Sequence, residues 1–203
     1  MKKREVAPNV FLIEFPTSQE AAMTFLRFQE HYESPKFKNK IFTLAEYIKW
    51  YTKRTKRPFS YYEDWSGFNI PSCVLMPFYQ GRFSGLTQNE LRLLELFEKE
   101  VGQYYVIGCA KGKSDTLRHE IMHGVYYTNP QYRMEVDRIL YGVNCKKIHQ
   151  ILIDYGYHKD VLQDETHAYL VTCQAALGEY VDLKKYKDVI RKLKRNYDKF
   201  MGA

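Results

Sequence analysis

The stretch "SDTLRHEIMHGVYYTNP", residues 114–130, decides how the rest of the chain is read. It contains His119, Glu120 and His123 in the order H-E-x-x-H. In a helix, residues four apart lie about 40° apart around the axis, so the two histidines stack on one face. Leu117, Ile121 and Val125 fall on the opposite side, where they suit a core. Ser114 or Asp115 can cap the start, and Gly124 leaves room for a neighbouring helix. Asn129 ends the segment as the cap of a further helix whose first residue is Pro130. Two neutral imidazoles bind zinc at about 2.0–2.1 Å, and a third protein ligand leaves the fourth position to water. Glu120, one step round the helix, is placed to take a proton from that water and pass it on. The competing reading is a pair of helix histidines making structural hydrogen bonds beside a surface glutamate.

Outside this stretch the chain reads as one unit, residues 1–203, with a mixed α/β half (1–112) and a helical half (113–203). "NVFLIEF" (9–15), bounded by Pro8 and Pro16, reads as a buried strand. Helices are expected after Thr17, Thr43 and Thr87, each followed three residues later by glutamate as in a capping box. "SCVLMPFY" (72–79) reads as a strand and "EDWSGFNIP" (63–71) as a structured loop, anchored by Trp65 and Phe68 or lining a groove. "QYYVIGCAKGKSD" (103–115) reads as a strand leading into the motif helix, an edge on which an extended peptide could add. Helices are then expected over about 130–141, 145–155, 160–177 and 183–200.

"RHEIMHG", followed by a carboxylate on a later helix, is similar to the zincin metallopeptidases and to their glutamate-ligand branch, the gluzincins. The resemblance covers the motif helix, the strand before it and the helical half, and leaves residues 1–100 outside. It implies an α+β zincin-like fold: a small sheet, an H-E-x-x-H helix and a mostly helical C-terminal half. It also implies a zinc cofactor, peptide or protein substrates, and a glutamate as third ligand. "LQDETHAYL" (162–170) offers Glu165, with Ala168, Tyr169 and Thr172 on the same face and Asp164 beside it. Asp164 would hold a ligand histidine in its tautomer, or be a solvated helix residue. The 41 residues between His123 and Glu165 exceed the interval of thermolysin-like enzymes. His167 is the rival, and Cys109, Glu135 and Asp137 stay open. Cys109 follows Gly108 as in the peptide deformylases, although the residues after it differ. Tyr126 and Asn129 stand where the metzincin pattern wants glycine and histidine, and the aspartate-ligand pattern G-T-x-D is absent. An oxyanion donor is expected among Tyr126, Tyr127, Tyr157 and Tyr169, with Tyr169 favoured.

Composition agrees with an ordinary folded protein, 45% hydrophobic and 27% charged. Much of the net charge of +7 sits in residues 182–200. There Leu183, Tyr186, Val189, Ile190, Leu193, Tyr197 and Phe200 form an apolar stripe, so the basic residues read as a solvated helix face and give no reason to expect nucleic acid. The four cysteines form no C-x-x-C pair, and no apolar run has the length of a leader or a membrane span. A cytoplasmic protein with reduced thiols and no membrane partner is the expectation. The functions that fit are zinc-dependent peptide hydrolysis, a non-peptidase zinc amidohydrolase, and a catalytically degenerate zincin fold used for binding or regulation.

Overall fold

The computed structural model describes residues 1–65, 67–112 and 114–202, apart from the side chains of Ser114 and Asp115. The chain is α+β. Among the described residues there is one four-stranded mixed sheet in the order β1-β2-β4-β3. Its strands are β1 (Lys3–Ala7), β2 (Val10–Phe15), β3 (Gly67–Pro71) and β4 (Tyr105–Ala110). β2 and β4 run parallel at the centre, and β1 and β3 flank them antiparallel.

Both faces of the sheet are covered, so the alternation of side chains sorts residues between two cores rather than between core and water. Ile13, Phe15, Phe68, Ile70 and Val106 face an aromatic-rich core with α1 (Ser18–Glu33), α2 (Leu44–Thr55), the short α3 (Tyr61–Asp64) and α5 (Gln88–Phe97). Val10, Leu12, Tyr105, Ile107 and Cys109 face the other core. That second core holds α6 (Ser114–Thr128), α7 (Pro130–Leu140), α8 (Lys146–Tyr155), α9 (Leu162–Thr172) and α11 (Lys187–Met201). The expected stripe of α11 packs into this core, with Leu193 and Tyr197 buried. Among the described residues no helix is long and apolar enough to cross a membrane.

Several helix starts follow from their caps. Thr43 and Thr87 form complete capping boxes with Glu46 and Glu90, whereas at Thr17 the threonine hydroxyl accepts from Glu20 N–H. Asn129 caps α7, with Pro130 in its first turn. The expected cap at Ser114 or Asp115 falls on side chains outside the described residues.

Four local readings are corrected. Residues 72–79 form no strand: they make a 3-10 turn (Ser72–Leu75) and then α4 (Met76–Tyr79), because Pro77 cannot donate to a ladder but suits a first helical turn. The ladder instead takes "GFNIP", read as loop from its Gly, Asn and Pro, since Phe68 and Ile70 alternate with Gly67 and Asn69. β4 is interior rather than an edge, and β1, too charged to stand out, takes the opposite rim. The helix expected over 160–177 breaks at Cys173 into α9 and α10 (Gln174–Gly178). Thr172, just before the break, donates its hydroxyl to the Ala168 carbonyl at 2.7 Å, a bond that bends helices.

One buried ion pair ties α1 to α5. The Arg27 guanidinium donates to both oxygens of Glu90 at 2.7 and 2.6 Å and to the Ser84 and Gly85 carbonyls. Both side chains are almost wholly buried. Arg27→Ala leaves a buried carboxylate without its counter-charge, and about 3–5 kcal/mol of stability should be lost. A fall in the urea midpoint measures it; an unchanged midpoint would refute it.

Candidate metal centre

α6 lies against the sheet because two glycines let it. A Cβ on Gly124 would come within 2.6 Å of Val10, and one on Gly67 within 2.5 Å of Glu120 Oε1. Gly124 thus makes room for the sheet, not for a second helix as expected. Seated this way, α6 turns Glu120 towards β3 and both histidines towards α9, whose Glu165 is buried opposite them.

The three donor groups converge. His119 Nε2 and His123 Nε2 are 3.1 Å apart, and Glu165 oxygens lie 3.7 and 3.6 Å from them. Ligands bound tetrahedrally at about 2.0–2.1 Å stand roughly 3.4 Å from one another, so the spacing fits a zinc-sized ion. Among the described residues, these three form the group of His, Cys, Asp and Glu side chains able to hold a metal.

The outer hydrogen bonds fix which ring nitrogens face inward. The Thr172 hydroxyl is spent as donor on Ala168, so it accepts from His119 Nδ1–H at 2.8 Å. His123 Nδ1–H donates to Asp164 Oδ2 at 2.9 Å. Both Nε2 lone pairs then face each other and the Glu165 carboxylate, and Glu165 Oε2 is buried without a hydrogen bond. Such a set repels itself unless a cation or protons lie within it.

The charges respond accordingly. Burial opposes a charged His123, but Asp164 and Glu165 outweigh it and hold the ring up at about 9. Burial likewise opposes a charged His119, and Cys173, Glu165 and Glu120 raise it well above the usual histidine range. Asp164, although buried, is held down at about 2 by His123 and His167. Burial raises Glu120, against the two histidines. The field that draws protons here is one a dication satisfies, and the two compete.

Glu120 has its own support. Asn69 Nδ2 donates to Glu120 Oε2, and Tyr105 O–H donates to Asn69 Oδ1. Asn69, Gly67, Tyr105 and Tyr132 were not singled out from the sequence. A polar residue alternating with Phe68 and Ile70 was the available signal for Asn69.

The other sequence candidates are placed as follows. His167 is fully buried and turned from the donor set. Its Nδ1–H donates to the Asp164 carbonyl at 2.8 Å, so its Nε2 accepts from Tyr132 O–H at 3.1 Å. Cys109 is a buried strand thiol, pushed up to about 11 chiefly by burial. Glu135 pairs with Arg138, and Asp137 accepts from Tyr126 O–H. Tyr126 also stacks on His167, and Tyr127 reaches towards Cys73 instead. Tyr169 and Tyr157 remain beside the centre: their hydroxyls are 3.2 Å apart and the Tyr169 ring is 5.2 Å from His119. The edge near the site is β3, whose Asn69 N–H is taken by Gln29 and whose Pro71 has none, so strand addition has few free donors there.

Asp164→Ala should weaken zinc binding by about 10–100-fold, as removal of a carboxylate behind a ligand histidine does. Competition against a chromophoric chelator measures this; equal affinities would refute the tautomer argument.

No protein-family model, curated protein or solved structure matches this chain.

Proposed function

We propose that the chain is a zinc-dependent metallopeptidase of the zincin kind, of the branch with a glutamate as third ligand. The observation that carries this reading is the convergence of two inward Nε2 lone pairs and a buried carboxylate whose Oε2 has no hydrogen bond, beside a separately held glutamate. His119, His123 and Glu165 would hold the ion. Zinc bound there supplies a Lewis acid for the scissile carbonyl and acidifies water.

The remaining steps belong to the chain. Glu120 takes the proton of the attacking water and delivers it to the departing amine, which splits the amide into carboxylate and amine. Burial favours its proton-bearing form between those two events, and Asn69 keeps the carboxylate in place. Tyr169, whose ring is 5.2 Å from His119 and whose hydroxyl is 3.2 Å from that of Tyr157, would donate to the oxygen that gains charge. Asp164 and Thr172 keep the histidine rings oriented throughout. A helix needing two histidines only for packing has no use for a buried carboxylate framed by Gly67 and Asn69.

Incubation of the zinc-loaded protein with a mixture of peptides of random sequence, read by mass spectrometry, tests the activity. Cleavage that stops on chelation and returns with zinc is the expected result. Folded, zinc-loaded protein that cuts no peptide bond would overturn the proposal, and cleavage confined to small non-peptide amides would favour the amidohydrolase.

A further inference from the structure

Beside the metal centre lies a cavity of about 440 Å³, within the ~300–1,000 Å³ of ordinary ligand pockets. Tyr157, Tyr169, Trp50, Trp65 and Tyr155 all contribute rings to its lining. It adjoins the centre directly, because Tyr169 is in edge contact with His119 and the charge of Glu165 acts on Tyr157, Tyr169 and Glu33.

Its charged lining is lopsided for a chain of net charge +7. Glu30, Glu33 and Asp64 line it against Arg54 alone. Asp64 is already matched, since Arg57 and Tyr51 donate to it. Glu30 is buried among Ser34, Tyr47 and Tyr61, which hydrogen-bond to it. Glu33 differs: it accepts one bond from Gln29 at 2.6 Å and, among the described residues, has no ion pair. Glu33 thus lines the cavity as a carboxylate with no cation beside it among the described residues. The walls suit a cation as well, because aromatic faces attract ammonium and guanidinium groups. Arg54 already makes this contact at the rim, 5.2 Å from the centre of the Trp50 ring.

We propose that this cavity receives a lysine or arginine side chain of the peptide cleaved at the metal centre, with Glu33 as its counter-charge and the tyrosine and tryptophan rings around its stem. Cleavage of that peptide rests on the peptidase reading; the binding of a basic side chain does not. Glu33 is a specificity-determining residue in this account.

Trp50 and Trp65 are the chain's two tryptophans and both line the cavity, so intrinsic emission reports its occupancy without catalysis. Zinc-loaded protein is titrated with blocked tetrapeptides, free of aromatic residues, that differ in one position: arginine, norleucine or glutamate. The arginine peptide is expected to shift the emission with a Kd at least about tenfold below that of norleucine, and glutamate to bind weakest. Glu33→Gln, checked for native circular dichroism and zinc content, should erase the arginine preference. Equal affinities for the three peptides, or an unchanged preference in Glu33→Gln, overturn the proposal. Cleavage without charge preference would do the same and leave the peptidase reading standing. Emission shifts specific to arginine without any cleavage would keep the cavity assignment and remove the peptidase.

Discussion

Glu120→Gln is expected to lower kcat/KM for peptide hydrolysis by about 10²–10⁴-fold while the protein keeps its zinc. The exchange preserves shape. The glutamine carbonyl oxygen can still accept from Asn69 Nδ2, so β3 and α6 stay joined. The snug space under the residue, where a Cβ on Gly67 would stand 2.5 Å from its Oε1, is filled as before. What disappears is the carboxylate to which the proposal gives the proton of the water, beside His119 and His123 on the same helix. Zinc content and kcat/KM measured on the same preparation separate the two effects. Activity within a few-fold of wild type, with zinc retained, would take the role of base away from Glu120.

Glu165→Ala is expected to abolish stable zinc binding, a loss beyond the ~10–100-fold that an outer partner carries. Of the three donors found among the described residues, two imidazoles remain, and both belong to α6. His167→Ala makes the contrast. His167 sits behind Asp164 and is joined to Tyr132, so its removal loosens the support of His123 without removing a donor. Zinc should stay in His167→Ala, less tightly held, and leave in Glu165→Ala. Equal retention in both variants would show that Glu165 is not a ligand.

Much of this site was legible because it is periodic. His119 and His123 share a helix face by spacing alone, and the grouping of Glu165, Ala168, Tyr169 and Thr172 follows from the same arithmetic. The structure places Glu165 against the histidines, Tyr169 against His119 and Thr172 on its Nδ1. The supports of Glu120 were illegible for the converse reason. Asn69 is 51 residues away from it, and only the pairing of β3 with β4 brings the two together.

The fold divides in the same way. Capped helices such as α2 and α5 announce themselves locally, through a threonine and a glutamate three residues on. The short apolar run 72–79 carries no period that separates strand from helix, and the competition is settled by the core it enters and by Pro77. "GFNIP" hides a strand behind turn-forming residues. Its glycine is there to clear Glu120 and its asparagine to hold it, so the chemistry of the site obscured the element that carries it.

Elemental analysis of the wild-type protein, after incubation with zinc and removal of the excess, tests the central claim most directly. Close to one zinc per chain is the predicted result, with two imidazole nitrogens and a carboxylate oxygen able to hold it. A folded wild-type protein that retains no zinc would contradict the account, and His119 and His123 would then be a helix pair held by Thr172 and Asp164 for packing alone.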